Sequence, residues 1–159
     1  PERLVEDDTP GSAASFLPQI AAVDENVYVT WYDYRNGDAD VFFRRSIDRG
    51  ASWARSDVRL DTDEPGASYS AWPRIGTWGH AVFVVWVDRR NGEHDIYLNL
   101  SIDDGASWLP DDLRIDTDEP GSARSFDPFV TGESARIYVS WYDYRNGAAD
   151  VYASRTLPF

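Results

Sequence analysis

The segment Ala81–Asp88 reads AVFVVWVD, with no polar residue before its final Asp. A short run that is β-branched and aromatic at successive positions predicts a strand buried on both faces. The segment RRNGEH follows, and its Asn91-Gly92 pair is a strong hairpin signal. The next strand is predicted at about Asp95–Ser101 (DIYLNLS), and an earlier one at Ala71–Thr77, after the turn-rich TDEPG. The turn DDGAS leads to a fourth strand expected around Trp108–Ile115. No stretch carries a 3.6-residue period, so no substantial helix is expected.

These four strands are one unit of a repeat. Trp31, Trp86 and Trp141 recur at intervals of 55, as do Pro18, Pro73 and Pro128. WYDYRNGDADV at 31–41 returns at 141–151 with one change in 11, and DVRLDTDEPG at 57–66 returns as DLRIDTDEPG at 112–121. Ungapped similarity of this order implies duplication of a whole structural unit. Strands apolar on both faces need cover on both faces. Four-stranded antiparallel sheets stacked radially supply it, which predicts an all-β β-propeller within a single repeat domain, 1–159. The units span about 12–60, 67–115 and 122–159.

Two octapeptides then carry a family resemblance. Ser46-Ile47-Asp48-Arg49-Gly50-Ala51-Ser52-Trp53 and Ser101-Ile102-Asp103-Asp104-Gly105-Ala106-Ser107-Trp108 resemble the Asp box, S-x-D-x-G-x-[ST]-W, of BNR-repeat propellers such as sialidases. The key positions are Ser46, Asp48, Gly50 and Trp53, and Ser101, Asp103, Gly105 and Trp108. The resemblance implies a turn between the third and fourth strands, on the face away from the ligand site. Asp would accept backbone N–H bonds there, Gly would supply a positive φ, and Trp would pack under the hairpin. It implies fold more than activity, because hydrolases, receptors and lectin-like proteins share the box.

The third unit reaches Arg155-Thr156-Leu157-Pro158-Phe159 without a box or a fourth strand. Glu2–Val5 (ERLV) aligns with Asp57–Leu60 at the same spacing, so a strand at 2–6 is expected to complete that unit. Three blades are too few for a ring. Two chains closing each other's split blade give six, the number the sialidase resemblance implies. The expectation is a homodimer; the alternative is that these three blades belong to a longer chain.

Charge narrows the partners. The chain has 15 basic and 28 acidic residues, a formal net charge of -13. All the basic residues are Arg, and 21 of the acids are Asp. Such a field repels phosphate, so no nucleic acid is expected. No apolar run approaches the length of a membrane-spanning helix, and no membrane insertion is expected. There is no Cys and only His80 and His94. That excludes disulfides, thiolate sites and a multi-histidine centre. No cofactor and no metal are expected; Asp61-Thr62-Asp63-Glu64 and Asp116-Thr117-Asp118-Glu119 read as solvated acidic turns rather than calcium loops. An acidic, Lys-free surface fits an extracellular or cell-surface setting.

Two loop sets should share the ligand face, TDEPG and YRNG. Arg35, Arg90 and Arg145 recur in the second set. One reading has them bind a carboxylate or sugar hydroxyls; the other has Asp33, Asp88 and Asp143 hold their own hairpins while these Arg pair with neighbouring blades. Positions that break the repeat are the further ligand candidates: Tyr69 and Arg124, Trp72 and Asp127, and Arg74. They would decorate a central opening differently in each blade. The sialidase resemblance also implies three Arg, a Tyr nucleophile with a Glu partner and an Asp acid/base. Its Arg-Ile-Pro motif finds no match: the prolines follow Phe16-Leu17, Ala71-Trp72 and Phe126-Asp127, and Arg74-Ile75 follows Pro73 and precedes Gly76. No catalytic residue is assigned. The expected function is a non-catalytic carbohydrate-binding or interaction module. A structural or constructed scaffold and a sialidase-like glycoside hydrolase are the alternatives.

Overall fold

A computed structural model describes residues 2–156 and 158. Pro1, Leu157 and Phe159, included in the expected domain, lie outside them. Among the described residues, eleven strands form three antiparallel meanders. The first contains β1 (Ser15–Val23), β2 (Asn26–Asp33), β3 (Asp40–Ser46) and β4 (Val58–Arg59). The second contains β5 (Ser70–Trp78), β6 (Ala81–Asp88), β7 (Asp95–Ser101) and β8 (Leu113–Arg114). The third contains β9 (Ser125–Glu133), β10 (Arg136–Asp143) and β11 (Asp150–Arg155).

The patterned runs became the long strands, with β6 and β7 at the expected bounds. The fourth strands are shorter than expected. In the second sheet, Leu109 N–H reaches Leu100 O, 3.1 Å away, just after the box turn, as Ala54 N–H reaches Arg45 O (2.8 Å) in the first. Pairing resumes only at Leu113 and Arg114, opposite Leu98 and Tyr97.

Each first strand carries an irregularity near its start. The register shifts between Phe16 and Gln19 in β1 and between Ala71 and Arg74 in β5. Leu17, Trp72 and Asp127 have φ of 47°, 58° and 48°. A bulge turns each of these side chains out of the strand's alternation. Pro18, Pro73 and Pro128 follow directly, where a missing N–H costs the interrupted ladder little.

Burial shows how the sheets stack. Every residue of β6 is buried, whereas β10 alternates between covered and uncovered positions. The two strands are equivalent in sequence, so the difference is one of neighbours. The second sheet has a sheet on each side, and the third is covered on one side only. β5 packs against both β1 and β9. Phe83, fully buried, lies against Gly76 and Gly132, where any side chain would meet its ring. Phe43 and Trp108 meet edge-on between the first two sheets, ring centroids 4.8 Å apart.

The segment 2–6 forms no strand and does not pair with β11 within the chain. It lies beside the first sheet instead. Arg44 Nη1 donates to Val5 O, Ser15 Oγ donates to Glu6 Oε2 (2.6 Å), and Asp7 N–H donates to Asp57 Oδ2 (3.0 Å).

Candidate ligand-binding face

The two octapeptides form matching turns. Asp103 Oδ1 accepts N–H bonds from Ala106 and Ser107 (3.0 and 2.9 Å) and the Ser101 hydroxyl (2.7 Å). Asp48 accepts from Ser46, Ser52 N and Ser52 Oγ at 2.6–2.7 Å. The Ser52 bonds, then that from Ser46, hold the Asp48 carboxyl down at about 2; the Ser107 and Ser101 bonds lower Asp103 likewise. Gly50 and Gly105 take φ of 80° and 74°. These groups are occupied by their own turns. Trp108, half-buried, also meets the Phe43 ring of the preceding sheet.

The other end gathers the remaining loops. Asp38 N–H donates to Gly66 O (3.0 Å) and Glu93 N–H to Gly121 O (3.2 Å), so the first two YRNG-type turns are each tied to the following DEPG loop. Gly66 and Gly121 lie against the carbonyls of Asn36 and Asn91, leaving no room for a Cβ. The expected sharing of one face by these loop sets is thus built from backbone bonds.

The repeated Arg residues on this face are already paired. Arg90 donates to Asp88 (Nη2–Oδ2, 2.6 Å) and to Asp112 (2.8 and 2.9 Å), with its guanidinium 4.2 Å from the Tyr97 ring centroid. Arg35 binds Asp33 (2.7 Å), Asp57 (3.0 Å) and Asp7 (3.2 Å) over Phe42. Arg145 binds Asp143, reaches Asp118 of the preceding unit at 3.6 Å, and lies over Tyr152. The buried Asp also fixes the Trp of each repeat: Trp31, Trp86 and Trp141 donate through Nε1 to Asp33, Asp88 and Asp143. Burial opposes ionisation of Asp143, yet its bonds from Arg145 and Trp141 outweigh that and hold it at about 2.

The acidic turns are not solvated as expected. Asp61 and Asp116 are buried, and Arg59 and Arg114 occupy the space between the carboxylates. Arg59 Nη1 lies 2.6 Å from Asp61, 3.4 Å from Asp63 and 3.5 Å from Asp40. Arg114 bridges Asp95, Asp116 and Asp118 at 2.8–3.3 Å. Both carboxylate triads have a spacing that could suit a metal ion. The guanidinium already supplies the cation. Burial, then Asp40, pushes Asp61 up to about 8; burial, then Asp95, pushes Asp116 up to about 6.

A row of rings crosses the loop face from the first unit to the third. Phe16 lies 5.5 Å from Tyr32 and 6.0 Å from Tyr34. Tyr32 meets Tyr69 (6.3 Å), Tyr69 meets His94 (6.2 Å), and His94 meets Phe126 (4.6 Å). Phe126 touches Trp72 (5.6 Å) and Tyr144 (6.1 Å). Tyr34, Tyr144 and Phe16 are exposed, and Tyr69, Trp72, His94 and Phe126 half-buried. Burial, then the nearby Tyr32, pushes the Tyr69 hydroxyl up to about 12. Burial, then Arg89, lowers His94 below the usual imidazole value, so a neutral ring sits in the row at neutral pH.

The repeat-breaking residues meet different partners. Trp72 and Tyr69 join the row. Arg124 sits beside it, its Nε 3.3 Å from Glu93 Oε2. Arg74 instead turns to the next unit, 5.3 Å from the Phe129 ring centroid. Asp127 lines a cavity of about 120 Å³ on the uncovered face of the third sheet, with Trp141 and Val151. The expected single cluster around a central opening is therefore divided: Trp72 meets Phe126 of the next sheet, whereas Asp127 lies on the uncovered face of the third sheet. Sequence reasoning passed over Phe126 and His94 as ligand candidates. His94 carried the signal, since Ala39 and Ala149 hold its equivalent positions.

Similarity to known proteins lies in the fold. No protein family matched, and no curated protein matched. Solved structures did. A family 117 glycoside hydrolase of the marine bacterium Zobellia galactanivorans superposes over 98% of this chain and 56% of its own, with a TM-score of 0.62 at 13% identity. The fold is a β-propeller. The α-L-arabinofuranosidase of Fusarium graminearum gives a TM-score of 0.60 and 14% identity over 89% of this chain and 46% of that one. Trypanosoma rangeli sialidase gives 0.54 and 11% over 91% and 31%. The chain thus spans about half the length, or less, of the propeller chains it resembles.

Proposed function

We propose that this chain is a non-catalytic, sialidase-like Asp-box propeller module that binds carbohydrate on its loop face, in an extracellular or cell-surface setting. The observation that carries this is the unbroken row of rings from Phe16 to Tyr144. Aromatic faces stack on the C–H faces of sugars, and flanking polar groups fix orientation. The Arg124–Glu93 pair beside the row offers both a donor and an acceptor for hydroxyls. The occurrence of the fold in arabinofuranosidases and a sialidase supports a sugar as the class of ligand.

The absence of catalysis is inferred from occupied side chains. A retaining or inverting glycosidase needs two accessible carboxyl groups, one of them protonated. The carboxyls raised to about 8 and about 6 are all engaged within the fold: Asp61 and Asp116 are buried and bonded to the backbone N–H of Val41 and Ile96, and Asp57, also raised to about 6, pairs with Arg35 and Arg44. The three loop arginines are paired within their own blades.

A glycan array probed with the labelled chain tests the reading. Binding to a defined oligosaccharide is expected to fall at least about tenfold with Tyr34→Ala and Tyr144→Ala, the loss of one stacking contact each. Binding that ignores both substitutions, or no glycan bound at all, refutes it. Turnover of a fluorogenic sialoside or arabinofuranoside refutes its non-catalytic part.

A further inference from the structure

We propose that the uncovered face of the third blade receives the first blade of a second copy of this chain. In this assembly, segment 2–7 of each copy serves as the outer strand of the other's third blade, so that two chains close one six-bladed ring. The inference is independent of the ligand.

The first observation is a contrast in burial at equivalent positions. Val41 and Ile96 are fully buried, whereas Val151 is 75% exposed. Phe83 and Val87 are fully buried, whereas Tyr138 and Tyr142 are 38% and 46% exposed. The third blade presents the apolar surface with which the first two blades receive their successors. Exposed apolar surface with this repeat pattern marks an interface. The first blade presents the complementary side: Phe16 and Ile20 are exposed where Ala71 is buried and Ile75 half-buried. An interface between the third blade and the first blade of a copy therefore continues the two blade–blade interfaces already present.

The second observation is where segment 2–7 lies. Asn99 Nδ2 donates to Leu60 O of the preceding blade (3.0 Å), and Arg44, its equivalent, donates to Val5 O. Thr62 N–H donates to Asp112 Oδ2 (3.0 Å), and Asp7 N–H donates to the equivalent Asp57 (3.0 Å). Ser125 Oγ donates to Asp116 (3.0 Å), and Ser15 Oγ donates to Glu6 (2.6 Å). Segment 2–7 thus occupies the site of a preceding blade's outer strand, while β11 carries no outer strand among the described residues. Val58 faces Phe43 and Leu113 faces Leu98. The same register sets Arg3 of one copy opposite Ala153 of the other. A head-to-tail contact that closes after two copies has twofold symmetry.

Two experiments test this. Light scattering is expected to give twice 18.0 kDa. Val151→Asp should reduce the mass to that of one chain while preserving the far-ultraviolet strand spectrum. Ile102→Asp, at an exposed position in a box turn, should leave the doubled mass unchanged. The chain has no Cys, so Arg3→Cys combined with Ala153→Cys introduces the only thiols. Paired strands place such residues about 5.5 Å apart, within disulfide reach. Oxidation should yield a reducible covalent dimer. A single-chain mass for the unmodified protein, a doubled mass for Val151→Asp, an assembly larger than two chains, or a link within one chain would each overturn the proposal.

Discussion

Removing the Asp88 carboxylate tests whether the W-x-D-x-R-N-G pattern is structural. Asp88 is fully buried. Its oxygens accept from Ser70 Oγ (2.9 Å), Trp86 Nε1 (3.1 Å), Arg90 N (2.9 Å), and Arg90 Nε and Nη2 (3.0 and 2.6 Å). Asp88→Ala leaves the Ser70 and Trp86 donors without this acceptor and takes one counter-ion from Arg90. Breaking a buried ion pair costs about 3–5 kcal/mol. Arg90 keeps Asp112 at 2.8 Å, which places the loss near the lower end, about 3 kcal/mol. For a chain of this size that lowers the thermal midpoint by about 6–12 °C. Urea unfolding followed by tryptophan fluorescence, at one fixed protein concentration, reads the change. A loss below about 1 kcal/mol would show that the hairpin does not depend on the carboxylate, and the structural reading of the pattern would fail.

Further outcomes follow from the same contacts. Asp61 has a pKa raised above its unfolded value, so the native state binds the extra proton and its contribution to stability falls as pH rises from about 4 to about 8. Asp61→Asn, which keeps an oxygen for Val41 N–H, should flatten the urea midpoint between pH 5 and pH 8; an unchanged slope refutes the assignment. Gly50→Ala should cost about 1–2 kcal/mol, from left-handed strain alone, because open space surrounds that position. Gly121→Ala should cost about 1–3 kcal/mol more, because the new methyl meets the Asn91 carbonyl; equal losses in thermal melts would contradict the loop-to-loop contact. Phe83→Ala, at the ring lying on Gly76 and Gly132, should cost about 3–5 kcal/mol in the same urea assay. A loss under about 1 kcal/mol would mean that the second and third blades are not held by that ring.

The sequence by itself determined the local chemistry. Runs such as AVFVVWVD, the Asn-Gly turns and the 55-residue recurrence identified long strands, hairpins and a four-strand unit, because backbone pairing and turn geometry depend on neighbouring residues. The Asp box was legible for the same reason: its Ser, Asp and Gly bond one another within a few residues. Tertiary structure decided everything that depends on which sheet lies alongside. Equivalent residues such as Ile96 and Val151 have opposite burial, because one has a following blade and the other does not. Trp72 and Asp127 were identified as variable, but only tertiary structure showed that Trp72 meets the next sheet while Asp127 lies on the uncovered face of the third. The acidic turns looked solvated, and only folding placed Arg59 and Arg114 among them. The row from Phe16 to Tyr144 joins residues far apart in the chain, and it exists because loops of successive blades are stitched together at one end of the stack.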